Sequence, residues 1–320
     1  MSKALLIVGH GTRSDHGVAE FDRFVERVRR LAPAHGIPAV EGGFIELAPP
    51  PVTDAVGKLV AAGQTEFAAV PLVLVAAGHA KGDIPAALKR ELARYPGISY
   101  RYGRPLGPHP TLLSLMEERL DAVLPRAERP GTAVLVVGRG STDPDANAEV
   151  HKVARLFWEG RGFAFAETAF VSLAWPGVPE GLERCRLLGA RRIVVLPYFL
   201  FPGVLPDRIV TQAKEYATGH PDLDVRIADL IGDCDGLADL VLERYWEALG
   251  GDIRMNCDSC VYRVALPGFE HRVGAPQRPH DHPHDPADPH GHHHHGHGHA
   301  HEHGHRHGNA HGHGGYGHAH

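Results

Sequence analysis

Three polar residues in the first third of the chain are of types that together bind a divalent metal. His10 stands in "LIVGHGTR", Glu46 in "GFIELAPP" and His79 in "LVAAGHAKGD". Each directly follows an apolar run with the length and composition of a buried strand. In a parallel α/β sheet, ligands bind beyond the carboxyl ends of the strands, so three such ends bring distant residues to one edge. Two imidazoles and a carboxylate suit a borderline ion such as Co²⁺, Ni²⁺, Fe²⁺ or Zn²⁺. A lone histidine in such a loop is more often an ordinary polar surface residue, and Glu46 alone could serve a helix N-terminus.

Comparison within the chain favours the chemical reading. "LIVGHGTR" at 6–13 is echoed by "LVVGRGST" at 135–142, "GFIELAPP" at 43–50 by "AFVSLAWP" at 169–176, and "AVPLVLVAAGHAKGDI" at 69–84 by "VLPYFLFPGVLPDRI" at 195–209. Arg139 stands opposite His10, Ser172 opposite Glu46, and Val204 or Leu205 opposite His79, the last pair depending on a one-residue slip. All three candidate ligands are missing together from the second copy. Arg139, with Arg13 beside His10 and Lys81 beside His79, offers cations that could meet ligand carboxylates at a cleft mouth. The paired glycines around His10 need only mean a tight strand-to-helix turn, and no dinucleotide or phosphate-loop pattern follows them.

The elements that must position these residues alternate strictly. Over 1–124 the order is strand then helix four times, with Val18, Phe21, Val25, Val28 and Leu31 at helical spacing and Asp83 read as the opener of the third helix. Residues 125–250 repeat the order. Alternation of this kind predicts an α/β protein of two duplicated domains, each a parallel four-stranded sheet flanked by helices. His109 and Cys234 precede the last helix of each half and read as capping or packing residues.

Beyond residue 250 the composition changes. A segment over 251–270 carries Cys257 and Cys260 as a C-x-x-C pair in "RMNCDSC", a spacing suited to zinc, an Fe–S cluster or redox chemistry. Two thiolates do not complete a four-ligand site. Residues 271–320 are Pro-, Gly- and His-rich, and residues 280–320 hold 18 histidines. Such a tail cannot bury a core and is expected to be disordered without metal, binding divalent ions through neutral imidazoles. The interleaved Gly, Ala, Glu and Arg argue against an expression tag.

The formal net charge of −5 excludes a global field for nucleic acid or an anionic membrane. No apolar run reaches spanning length, and the chain reads as cytoplasmic. Self-association into a homo-oligomer is left open.

These motifs carry a family resemblance. "LLIVGHGTR", "FIELAPPPV", "LVLVAAGHAKGDIP" and "PLGPHPTLL" occur in order, and the chain over about 3–250 resembles the sirohydrochlorin chelatases of the long CbiX type. "MNCDSC" resembles a segment of some long members that is associated with an Fe–S centre. The resemblance implies a chelatase fold of two flavodoxin-like domains with the tetrapyrrole between them. It implies insertion of Co²⁺ into sirohydrochlorin on the way to cobalamin, with His10 and His79 catalytic and metal-binding and Glu46 close to the metal. Fe²⁺ insertion, giving siroheme, is the alternative within the class, and Ni²⁺ also suits the ligands. A cobalt or nickel storage or delivery protein is the alternative outside it.

Overall fold

The structure is a computed structural model that describes residues 3–251 and 270–273. Two parallel four-stranded sheets are present. The first half runs β1 (Ala4–Gly9), α1 (Asp15–Leu31), β2 (Val40–Phe44), α2 (Val52–Ala61), β3 (Glu66–Pro71), α3 (Ile84–Arg94), β4 (Ser99–Tyr102) and α4 (Pro110–Asp121). The second runs β5 (Thr132–Gly138), α5 (Pro144–Trp158), β6 (Phe165–Phe170), α6 (Val178–Leu187), β7 (Arg192–Pro197), α7 (Val204–Gly219), β8 (Asp224–Ile227) and α8 (Asp235–Gly250). The strand orders are β2-β1-β3-β4 and β6-β5-β7-β8, so the two sheets are topological copies.

The central strands β1 and β5 are buried along their whole length and alternate between two cores, as the period of two requires. Leu5 and Ile7 face one core with Val134 and Val136 of the other sheet, whereas Leu6 and Leu135 face separate outer cores. The inner core is therefore shared. It is filled by the apolar stripes of α1, α4, α5 and α8, such as Phe21, Phe24, Leu112, Phe157 and Tyr245. Helices α2 and α3 cover the outer face of the first sheet, and α6 and α7 that of the second.

Within that shared core the last helix of each half leaves its own sheet. Helix α8 packs on β3 and β4, and α4 packs on β7. The boundary near residue 124 separates the sequence repeats, but not the packing. Polar contacts lock the exchange. The Arg244 side chain, fully buried, donates from Nε to Pro105 O at 3.1 Å, from Nη2 to Leu106 O at 2.7 Å and from Nη1 to Glu247 Oε1 at 3.0 Å. Arg119 in turn donates to the carbonyls of Leu230 and Ile231.

Two apolar runs that read as long strands are shorter in the structure. β3 ends at Pro71, and after a last hydrogen bond from Leu72 N to Val8 O of β1 residues 73–77 leave the sheet, where Ala76 N donates to Glu149 Oε2 of α5 at 2.9 Å. β2 ends at Phe44, where the chain turns toward the tip of β1.

Arg244→Met should leave two buried carbonyls without donors. It is expected to destabilise the protein by about 3 kcal/mol, read as a lower urea midpoint at unchanged slope.

Candidate metal centre

The turn after β1 explains why the chain makes a Gly-x-Gly twice. Ile45 N donates to Gly9 O at 3.0 Å and Glu46 N to His10 O at 3.1 Å, drawing the turn after β2 against the turn after β1. Gly11 has φ +109°, and a Cβ on it would lie 1.8 Å from Glu46 O. Only glycine permits that approach. The second copy repeats it, with Gly140 at φ +85° and its Cβ position 1.8 Å from Ser172 O. The glycines are thus structural in both copies, and the residue between them is free to differ.

His79 comes from a different device. Residues His79–Asp83 form one wide π-helical turn leading into α3, a local distortion found often at functional sites. Asp83 stands immediately before α3, as expected of the residue that opens it, but it has helical φ and ψ and makes no side-chain cap bond. Its carboxylate instead accepts from His79 Nδ1 at 2.7 Å. This orienting role was missed at the sequence level, although the i, i+4 spacing of His79 and Asp83 carried the signal.

The three predicted ligands meet. His10 Nε2 lies 2.8 Å from His79 Nε2 and 2.9 Å from Glu46 Oε1. One ligand atom from each residue falls within 4.8 Å of the others. The two rings stand nearly perpendicular, with centroids 4.1 Å apart. His10 Nδ1 lies 3.1 Å from Gly11 O, an acceptor, and His79 Nδ1 faces Asp83. Those partners place the ring protons on Nδ1 and leave both Nε2 lone pairs pointing inward beside a carboxylate. Three acceptors at this separation repel unless a proton or a cation lies between them. Burial pushes the pKa of His79 down, against the opposing pull of Asp83, which favours the neutral, ligating imidazole.

The trio opens into a cleft of about 680 Å³ between the halves, walled by both. Arg13 is exposed at this wall, and Arg139 is exposed to the cleft from the opposite half. Burial by the cleft walls lowers the pKa of Arg139, with the Glu46 carboxylate pulling it back. Lys81 requires a correction. It was expected as a cation at the cleft mouth, but its ammonium is buried 2.8 Å from Asp143 Oδ2 and 2.9 Å from Asp145 Oδ2, at the start of α5. With Ala76 and Glu149 it ties the segment bearing His79 to the second half. No local pattern revealed these partners, because they lie more than sixty residues away.

The second copy has no such centre. The π-helical turn starts at His79 and α7 starts at Val204, and Ile84 and Ile209, five residues on from each, are both fully buried. Val204 is therefore the counterpart of His79. His109 caps α4 by accepting from Thr111 N at 3.2 Å, as expected. Cys185 sits in the outer core of the second half, its thiol pushed up to about 12 by burial, which suits packing and not ligation. Cys257, Cys260 and the histidine tail lie outside the described residues. Among the described residues no helix is long and apolar enough to cross a membrane.

Comparison with known proteins agrees with this architecture. A sirohydrochlorin cobaltochelatase of Priestia megaterium is 39% identical over 267 residues, covering 82% of this chain and 86% of that protein. A sirohydrochlorin ferrochelatase of the same organism is 32% identical over 239 residues, covering 74% and 87%. The crystal structure of the sirohydrochlorin chelatase SirB from Bacillus subtilis subspecies spizizenii in complex with cobalt superposes with a TM-score of 0.65 at 29% identity, covering 79% of this chain and 97% of that one. The CbiX family model matches twice, over residues 4–123 and 133–248. With both repeats matched and the motifs, sheets and turns arranged as the resemblance implied, the chain belongs to the CbiX family.

Proposed function

We propose that the protein is a sirohydrochlorin chelatase that inserts Co²⁺, held by His10, Glu46 and His79, into the macrocycle bound in the cleft. The observation that carries this reading is the convergence of two inward Nε2 lone pairs and a carboxylate oxygen at one wall of a two-sided cleft. Two imidazoles and one carboxylate hold a divalent ion without the grip of a thiolate set, so the ion can be passed on. The cleft is walled by residues of both halves, as a flat ligand held between them requires, and Arg139 lines it, where its guanidinium suits a carboxylate on the ligand's rim.

The chemistry follows from charge balance. Metallation takes one divalent ion from the protein and displaces two pyrrolic protons from the ring. Once the ion leaves, the three bases of the trio are vacant, and they accept those two protons at the same place. The buried site exchanges a charge of two for a charge of two, and no unbalanced charge remains in a poorly solvated pocket. Asp83 keeps the His79 proton on Nδ1, so Nε2 alternates between metal and proton without a ring flip.

The choice of Co²⁺ is supported by the 39% relative, named a cobaltochelatase, while the 32% relative is named a ferrochelatase. The donor set suits both ions. Anaerobic turnover with sirohydrochlorin and Co²⁺, Fe²⁺ or Ni²⁺ in turn tests the choice. The highest kcat/KM is expected with Co²⁺, and a preference for Fe²⁺ would reassign the protein to siroheme formation. No turnover with any of the three would sink the chelatase reading.

His10→Ala and His79→Ala should each lower kcat by at least about 100-fold while thermal unfolding shifts little, since both side chains stand outside the cores. Wild-type turnover in either variant at saturating metal contradicts the assignment. Arg139→Ala is expected to raise KM for sirohydrochlorin by about tenfold without weakening Co²⁺ binding, as loss of one charged hydrogen bond implies. A normal macrocycle KM with weakened Co²⁺ dependence would mean the two walls have been assigned the wrong way round. The tail is assigned a metal store. A chain ending at Gly268 should keep its turnover at saturating Co²⁺ and lose most bound metal in equilibrium dialysis.

A further inference from the structure

Leu47 and Leu173 are the two non-glycine residues with positive φ among the described residues, at +66° and +59°. They occupy equivalent positions, one after Glu46 and the other after Ser172. Each is the centre of a three-residue turn, closed by Ala48 N donating to Glu46 O at 2.8 Å and by Ala174 N donating to Ser172 O at 2.7 Å. Turns of this kind with positive φ at the centre are rare and strained. Glycine adopts them without the Cβ penalty, and the chain does use glycine at the neighbouring positive-φ positions, Gly11 and Gly140.

Neither leucine regains the cost of that backbone by entering a core. Leu47 is 38% exposed and Leu173 62% exposed, and both line the cleft. Val204, 55% exposed, lines the same cleft. Strain held in a backbone whose side chain joins no core and stays exposed to the cleft points to a role in ligand contact. Leu47 adjoins the metal-facing Glu46, so a ligand centred over the ion must pass beside it. Leu173 rises from the opposite wall at the symmetric place.

We propose that Leu47 and Leu173 are a pair of apolar jaws that pack against the flat conjugated surface of the macrocycle, one from each half, and hold it over the metal centre. This rests on the chelatase reading and extends it. The cationic side chains recognise the carboxylate rim, and the leucines recognise the apolar ring. A bare metal ion would have no use for them, so the jaws also separate a chelatase from a metal-storage protein.

The test compares wild type with Leu47→Gly, Leu173→Gly, Leu47→Met and Leu173→Met. Affinity for metal-free sirohydrochlorin is read by fluorescence titration, Co²⁺ affinity by calorimetry without macrocycle, and stability by the thermal midpoint. Each glycine variant should bind the macrocycle about tenfold more weakly, as loss of a buried leucine contact implies. Co²⁺ affinity should hold, and the midpoint should stay or rise as the strain is released. The methionine variants should bind the macrocycle as wild type does. Glycine variants that bind it normally, or that merely melt earlier with affinity intact, would overturn the jaws while leaving the chelatase reading standing. A wild-type protein that does not bind sirohydrochlorin would overturn that reading, and the jaws with it.

Discussion

The close contact between the turns after β1 and β2 is the constraint on which the site depends. The carbonyl of Glu46 occupies the space that a side chain on Gly11 would need. Two backbone hydrogen bonds then fix His10 and Glu46 side by side, with 2.9 Å between Nε2 and Oε1. Placing an imidazole lone pair beside a carboxylate is electrostatically unfavourable in the absence of a cation. The fold supplies the distance from its backbone, where the energy of two strands and a shared core holds it, and not from side chains that could relax away.

The third member of the trio, His79, is positioned from the other half. After Pro71 the chain leaves the first sheet, and the segment carrying His79 is gripped through Ala76 by Glu149 and through Lys81 by Asp143 and Asp145. In that buried cluster, burial pushes the Lys81 ammonium down, but the two carboxylates outweigh it and hold its pKa above the ordinary value. Buried pairs of this sort contribute little net stability because desolvation offsets attraction, yet breaking one is costly. Their effect is therefore on geometry. The half that lacks the trio still determines where His79 stands, and the exchanged helices α4 and α8 keep the halves from separating.

Duplication followed by divergence accounts for the remaining asymmetry. Both copies keep the glycine turn, the strained leucine and the buried central strand, which are matters of backbone and packing. They differ at the tips, where Arg139, Ser172 and Val204 replace His10, Glu46 and His79. Under the proposed function a second metal set would compete for one ring centre, whereas a cation and apolar groups complement the rim and face of the macrocycle.

The sequence by itself determined the two parallel sheets, their internal repetition and the three side chains that meet at the cleft wall. The physical reason is that burial period, glycine turns and strand ends are local properties, and the repeat supplied an internal control that singled out His10, Glu46 and His79. The cap at His109 was legible for the same reason. What only the tertiary structure decided depends on pairs distant in the chain. Asp83 was legible as the residue that opens α3, but only the π-helical turn from His79 brought its carboxylate back onto the imidazole. Lys81 read as a cation facing ligand carboxylates at the cleft mouth, and only the docking of α5 buried it between two aspartates. The exchange of α4 and α8, and the strained conformations of Leu47 and Leu173, likewise follow from how two sheets meet, since leucine carries no local preference for positive φ and an amphipathic stripe does not say which sheet it will cover.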